Sequence, residues 1–269
     1  MYLSRLLLQS RRHEVRWWLS DCHRLHEMVM TGFPEGVGDD PRARMGVLFR
    51  LEPSSPPGDI VALLVQSSER PTWRFPENGS VVRIDGPRLL DGIEAAIRPG
   101  ARFGFRLRAN PVRRVHARAA LNPDLRELDT AGNWREAADI PANERTGVVR
   151  RPAAETQASA IGKRVDFRRE EERIGWLARK GRDFCGFELT RVGVAPGPES
   201  GPARDVFGAV ANPAGRIVSF DRKLTYGTAL FEGELRVTET AAFRAALAGG
   251  IGPGKAFGCG LLSLRPLAP

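Results

Sequence analysis

The spacing of apolar and polar residues changes period several times along the chain, and each change marks a new element. Residues 2–8, YLSRLLL, alternate as a β-strand does. Residues 14–31 switch to helical spacing, with Trp18, Cys22, Leu25 and Val29 on one stripe. MGVLFRLE (45–52) and IVALLVQS (60–67) return to strand character, joined by the turn-rich link PSSPPGD, and VVRID adds a short strand. PRLLDGIEAAI (87–97) opens with proline at a helix start, and RPG then turns into a strand, ARFGFRLRANP. With VVRID left aside as an addition, the predicted order over residues 1–110 is β-α-β-β-α-β, a ferredoxin-like arrangement.

The second half repeats the plan. EEERIGWLARKG reads as a helix and FCGFELTRVGVA as a strand. LFEGELRVT alternates closely, with Phe231, Gly233, Leu235 and Val237 on one face and Glu232, Glu234 and Arg236 on the other. TETAAFRAALAGG follows as a helix, with Thr238 as its N-cap and Gly249 as its stop, and CGLLSLRPL closes as a strand. KRVDF (163–167) is assigned as this half's first strand, and RIVSFDRKLTYG as an extra hairpin. Residues 111–162, rich in Ala, Pro, Asn and charges with weak periodicity, read as a linker or insertion. The fold class is therefore α+β. Two tandem ferredoxin-like domains, 1–110 and 163–269, face each other across a basic cleft.

Charge sets the partner class. The 269 residues carry a net charge of +9, which favours nucleic acid or another anionic surface. Only four of the 41 basic residues are lysine (Lys163, Lys180, Lys223 and Lys255), a bias expected of a GC-rich genome that leaves the charge unchanged. Basic positions gather at Arg102, Arg106, Arg108, Arg113 and Arg114, then at Lys163, Arg164, Arg168 and Arg169. Arg106 and Arg108 share one strand face, so that pair is directed.

Cys22, Cys185 and Cys259 form neither a metal motif nor a disulfide framework, as suits a reducing cytosol. His13, His23, His26 and His116 make no zinc signature, so neither metal nor cofactor is expected. The start MYLSRLLLQSRR places its charges after a short apolar run, unlike a signal peptide. No stretch approaches the about 20 apolar residues of a membrane span, so the expected location is cytoplasmic.

Two stretches carry candidate chemistry. In GGIGPGKAFGCGLLSL, Gly249, Gly254 and Lys255 match the G-x-x-x-x-G-K of a nucleotide-binding loop. Ala256 then stands where a magnesium-binding Ser or Thr is needed, and the order helix, loop, strand is reversed. ATP binding is therefore set aside. The glycine loop 249–260 remains either a helix-to-strand connection or a backbone cradle for another phosphate, with Lys255 as its cation and Gly252 and Gly254 supplying amides. In DCHRLHEMVMTGF, His23 and His26 lie about 60° apart on a helix. His26 falls at the border of the apolar stripe, where burial lowers an imidazole pKa while leaving the ring reachable. By spacing alone, such a pair on a helix is more often incidental than catalytic.

Taken together, MYLSRL, HRLHEMVMTGFP, RLRANP, WLARKGRDFCGFEL and GIGPGKAFGCGLLSL resemble CasE, the CRISPR repeat-processing endoribonuclease family of type I-E Cascade complexes. The resemblance leaves 115–160 and 196–215 largely unaccounted for. It implies two ferredoxin-like folds and metal-independent cutting of precursor CRISPR RNA at repeat hairpins. A substrate 2′-hydroxyl attacks the adjacent phosphate, leaving a 2′,3′-cyclic phosphate and a 5′-hydroxyl. It also implies that the RNA product stays bound, with other Cascade subunits as partners. The family's catalytic histidine matches His26. Its tyrosine three residues earlier is His23 here, a departure affecting the second proton-transfer role. Lys163 and Arg164 resemble a basic hairpin tip set against the RNA stem. The rivals are a non-catalytic subunit of the same fold that binds RNA hairpins, and a basic ribosome-associated or DNA-binding module.

Overall fold

The structure, a computed structural model, describes residues 1–36, 38–52, 59–115, 126–129, 134–136, 145–150, 163–167, 169–195, 216–219 and 224–268. Arg168 and most of the stretch read as a linker lie outside them. The chain divides into two compact units: Met1–Pro111 with Phe167–Pro269, and Val112–Asp166. Among the described residues no helix is long and apolar enough to cross a membrane.

The first unit holds two four-stranded antiparallel sheets. The chain begins with β1 (Tyr2–Gln9), α1 (His13–Ser20), α2 (Cys22–Met30), α3 (Pro41–Arg44), β2 (Leu48–Glu52), β3 (Ile60–Ser67) and β4 (Val81–Leu89). These strands form the first sheet in the order β2-β3-β1-β4. Its core combines Leu6, Leu8, Val61 and Leu63 from the strands with Val15, Trp18, Leu25 and Val29 from the helices. After α4 (Asp91–Ala96), β5 (Arg102–Ala109) leaves for the second sheet.

The second unit consists of β6 (Val112–Val115), β7 (Arg126–Asp129), β8 (Trp134–Glu136), β9 (Arg145–Arg150) and β10 (Lys163–Asp166). Here β6 pairs with β10, and β7 lies between β8 and β9. The chain re-enters the first unit through α5 (Glu170–Lys180) and a π-helical turn, Gly181–Cys185. Next come β11 (Phe187–Ala195), the hairpin β12 (Arg216–Ser219) with β13 (Leu224–Gly227), β14 (Ala229–Val237), α6 (Thr240–Gly249) and β15 (Leu262–Pro266). The second sheet runs β11-β14-β5-β15, repeating the permutation of the first.

Several expectations change. ARFGFRLRANP does not close the first half; as β5 it opens the second, pairing with β14 and β15. Its alternating Phe103, Phe105, Leu107 and Ala109 face a core shared with Phe231, Leu235 and Phe243. Alternation identifies a strand but not the sheet it joins. The first half is closed by β4, which takes in the start of the stretch read as helix 87–97; only Asp91–Ala96 is helical. KRVDF pairs with β6 and is not the second half's first strand.

The helix expected over 14–31 breaks at Asp21. That residue is extended (φ −144°), and its carboxylate accepts the His23 N–H at 2.7 Å. Asp favours this N-cap role over a helix interior, so a new helix starts at Cys22. On α6, Glu239 and not Thr238 is the cap, accepting from Ala241 N–H at 2.9 Å. Gly250 (φ 76°), one residue beyond Gly249, makes the left-handed exit.

The two sheets are stitched together by a buried arginine. Arg50 on β2 is 1% exposed and donates to the backbone carbonyls of Arg106 and Leu261, each at 3.0 Å. It also donates to Ser263 Oγ at 2.9 Å and pairs with Glu52. Glu52 accepts in turn from Arg106 at 2.6 Å, and Arg106 also pairs with Glu232. Two guanidinium and two carboxylate groups therefore balance within the seam. A second link is Gln66 on β3, which donates to Leu247 O at the end of α6 at 2.7 Å.

Candidate active site

The short helix α2 places its histidines through its own cap. Because Asp21 starts the helix, His23 lies in its first turn and His26 one turn on. The apolar side is anchored by Leu25, Met28 and Val29, leaving both imidazoles half-buried at its edge. The His26 ring stacks on Phe49 of β2, with centroids 6.3 Å apart and planes at 27°. The His23 ring meets the edge of Phe257 at 4.8 Å. Phe257 belongs to the glycine loop and packs with Cys22 and Cys259, both buried. The cysteines are free. Burial pushes the Cys259 thiol up to about 12, so it is a neutral packing group that fastens α2 to the loop.

Each imidazole has an enclosed nitrogen, His26 Nδ1 and His23 Nε2, with no hydrogen-bond partner among the described residues. Leaving such atoms unsatisfied is costly, and because they are enclosed a substrate meets each ring elsewhere on its half-buried surface. Burial pushes the His26 pKa below its ordinary value, aided by the positive charge of Arg42 and by His23 and opposed by Asp40. At neutral pH the ring is therefore a free base.

The glycine loop packs on α2 and β2 through the turn at Lys255–Phe257. Gly250, Gly252, Gly254, Gly258 and Gly260 all have positive φ. A Cβ on Gly252 would stand 2.9 Å from the Trp176 ring, so close packing also requires glycine there. The loop is closed by Ile251 N–H to Gly260 O at 3.0 Å and Gly260 N–H to Arg108 O at 2.8 Å. The amides of Gly252, Gly254, Lys255 and Ala256 make no hydrogen bond within the described residues. Lys255 opens a 3-10 turn, Lys255–Phe257, and is half-buried. Burial lowers its pKa, aided by Arg42 and opposed by Cys185. Exposed amides beside a cation form a surface that accepts an anion.

The helix of His23 and His26 thus packs on the turn that carries Lys255, while Gly252 and Gly254 lie just before it in the loop, against Trp176 and Cys259. Arg108 flanks them, its carbonyl bound to the loop and its charge acting on Cys259. Its guanidinium has no carboxylate partner among the described residues, and burial lowers its pKa. Arg106, on the same strand face, is instead engaged by Glu52 and Glu232. Lys163 and Arg164 lie on β10 in the second unit, opposite Val115 and Arg114.

Sequence reasoning missed Arg42, Phe49 and Phe257. Arg42 follows the DDP turn, whose only legible signal is a helix start: Asp40 caps α3 and Pro41 opens it. The two aromatics read as ordinary apolar positions.

A half-buried imidazole with a lowered pKa, a lysine and unpartnered amides suit a phosphodiester that reacts by proton transfer. Residues 1–266 match the family model for CRISPR associated protein. The chain belongs to this CRISPR-associated family. It is similar to the CRISPR-associated endoribonuclease Cse3 of Thermus thermophilus, 27% identical over 274 residues, covering 99% of this chain and 100% of the relative. It is also similar to the CRISPR system Cascade subunit CasE of Escherichia coli, 26% identical over 268 residues, covering 99% and 100%. Among solved structures of the family, Cse3 bound to a 19 nt RNA superposes with a TM-score of 0.66 at 25% identity, over 99% of this chain and 100% of that one. The family's tandem ferredoxin-like architecture is the one described above.

Proposed function

We propose that this CRISPR-associated protein is an endoribonuclease that processes precursor CRISPR RNA at repeat hairpins and keeps the product as a Cascade subunit. The observation that carries the reading is the partly desolvated His26 on a helix that packs against the 3-10 turn carrying Lys255, beside the unpartnered loop amides. The names of the full-length relatives point to the same reaction and assembly.

The chain's own groups suffice for a metal-independent route. His26, neutral at pH 7, accepts the proton of the substrate 2′-hydroxyl. The oxygen attacks the adjacent phosphorus, the bond to the 5′-oxygen breaks, and a 2′,3′-cyclic phosphate and a 5′-hydroxyl result. His23, half-buried on the same helix, supplies the departing oxygen's proton or orients it. Lys255 and the amides of Gly252 and Gly254 offset charge on the phosphorane. Holding the 2′-oxygen in line with the scissile bond adds a further share of the rate. Arg108, Lys163 and Arg164 bind phosphates of the RNA, whose A-form stem exposes its backbone far more than its major-groove base edges. Arg106 contributes through the seam that holds β5 in place.

The test is cleavage of a repeat-hairpin RNA in EDTA. Wild type should cut, and His26→Ala should slow the reaction about 10²–10⁴-fold, the range for a lost general acid or base. A 2′-deoxy nucleotide at the cleavage position should abolish cutting and leave binding intact. Undiminished cutting by His26→Ala, or a magnesium requirement, would overturn the scheme.

A further inference from the structure

Arg42 has an unusual environment for a cation. Its side chain is only 16% exposed, and its nearest carboxylate, Asp40, is 4.0 Å away and 65% exposed. Asp40 Oδ1 is already used as the α3 cap, accepting Ala43 N–H at 3.0 Å. The guanidinium is steered instead by Val47 O, to which Nη1 donates at 3.2 Å. Val47 is two residues from Phe49, the ring against which His26 stacks. An enclosed guanidinium without a close carboxylate is expensive unless an anion completes it.

The charge of Arg42 also reaches two groups of the candidate site. Arg42 acts on both His26 and Lys255, pressing each toward its neutral form. The groups acting on His26 are Arg42 from α3, His23 from its own helix and Asp40 from the turn before α3. Asp40 alone opposes them, so positive charge is in excess where the loop amides are also unpartnered. Arg108 and Arg50, by contrast, belong to the second-sheet side of the loop and to the balanced seam.

We propose that Arg42 is a further catalytic residue, whose guanidinium and Lys255 Nζ grip the scissile phosphate from two sides while His26 faces the 2′-hydroxyl. The role rests on the endoribonuclease reading. Planar guanidinium donors suit the two non-bridging oxygens, and their attraction rises as charge builds on the phosphorane. Because the same cation keeps His26 deprotonated, phosphate binding and base strength are tied to one side chain.

The experiment compares wild type, Arg42→Lys and Arg42→Gln in single-turnover cleavage at saturating hairpin RNA. The imidazole titration of His26 is followed by NMR, free and with a non-cleavable 2′-deoxy hairpin. Arg42→Gln should cut about 10²-fold more slowly, as when one transition-state donor is removed, with an intact melting transition. Arg42→Lys should recover part of the rate. The His26 midpoint should move upward in free Arg42→Gln, and adding the 2′-deoxy hairpin should raise it in wild type more than in the variant. An unchanged rate with an unchanged midpoint would overturn the role of Arg42. If wild type failed to cut, the endoribonuclease reading would fall, while the RNA-dependent difference in His26 titration would still support or refute Arg42 as a phosphate ligand.

Discussion

At the scale of single residues, the proposed reaction depends on keeping His26 uncharged. Burial does most of this, Arg42 and His23 add to it, and Asp40 works against it. The folded-state pKa lies below the unfolded value, so between the two the unfolded chain binds more protons and folding weakens as pH falls. In the proposed role of general base, the ring would lose activity over the same acidic window. The rate at limiting hairpin concentration, which reports the free enzyme, should therefore climb with pH through a midpoint below the usual histidine value and be flat near neutrality. A pH profile of kcat/KM checks this, and a value that falls through that window with rising pH would make His26 the acid instead. The sequence exposed His26 because its border position on an amphipathic helix can be counted. Arg42 stayed hidden: its effect depends on a guanidinium steered by Val47 O, and no spacing rule reports that.

At the scale of elements, short-range signals were legible and pairings were not. The period of two in LFEGELRVT became β14, and the stripe Trp18, Cys22, Leu25, Val29 is buried as expected, although Asp21 divides its helix. That division goes unnoticed in a periodicity count, because Trp18 and Cys22 stay buried on both sides of the break. The glycine loop shows why composition alone left two readings open. Part of its glycine content answers to packing and part to free amides, and only geometry separates them. Gly252→Ala would place a methyl against Trp176 at φ 82° and should cost about 1–3 kcal/mol, the usual range for a strained backbone position. Gly249→Ala meets nothing within 4 Å at an ordinary φ and should be neutral or slightly stabilising. Denaturant midpoints of the two variants provide the comparison; equal losses would mean that glycine is not required at position 252.

At the scale of the molecule, two repeats of one topology act as a single framework because charge is buried between them. β5 belongs to the second sheet, yet its Arg106 carbonyl accepts from Arg50 of the first, so the strand on which Arg108 lies is registered against β2 and thus against Phe49 and His26. The site is built from both repeats, and its geometry is only as firm as this seam. Glu52 is the common partner of Arg50 and Arg106 and is 15% exposed. Removing it leaves Arg50, at 1% exposure, with carbonyl and hydroxyl acceptors but no counter-charge. Glu52→Ala should therefore cost about 3–5 kcal/mol, the range for breaking a buried ion pair from one side. Glu234→Ala, which removes the more exposed partner of Arg102, should cost at most about 1 kcal/mol. Calorimetry distinguishes the outcomes. A seam that couples the sheets predicts a sharp fall in melting temperature for Glu52→Ala and weaker hairpin cleavage in the protein that remains folded. A loss no larger than that of Glu234→Ala would mean that apolar packing, and not the shared carboxylate, holds the two halves of the site in register.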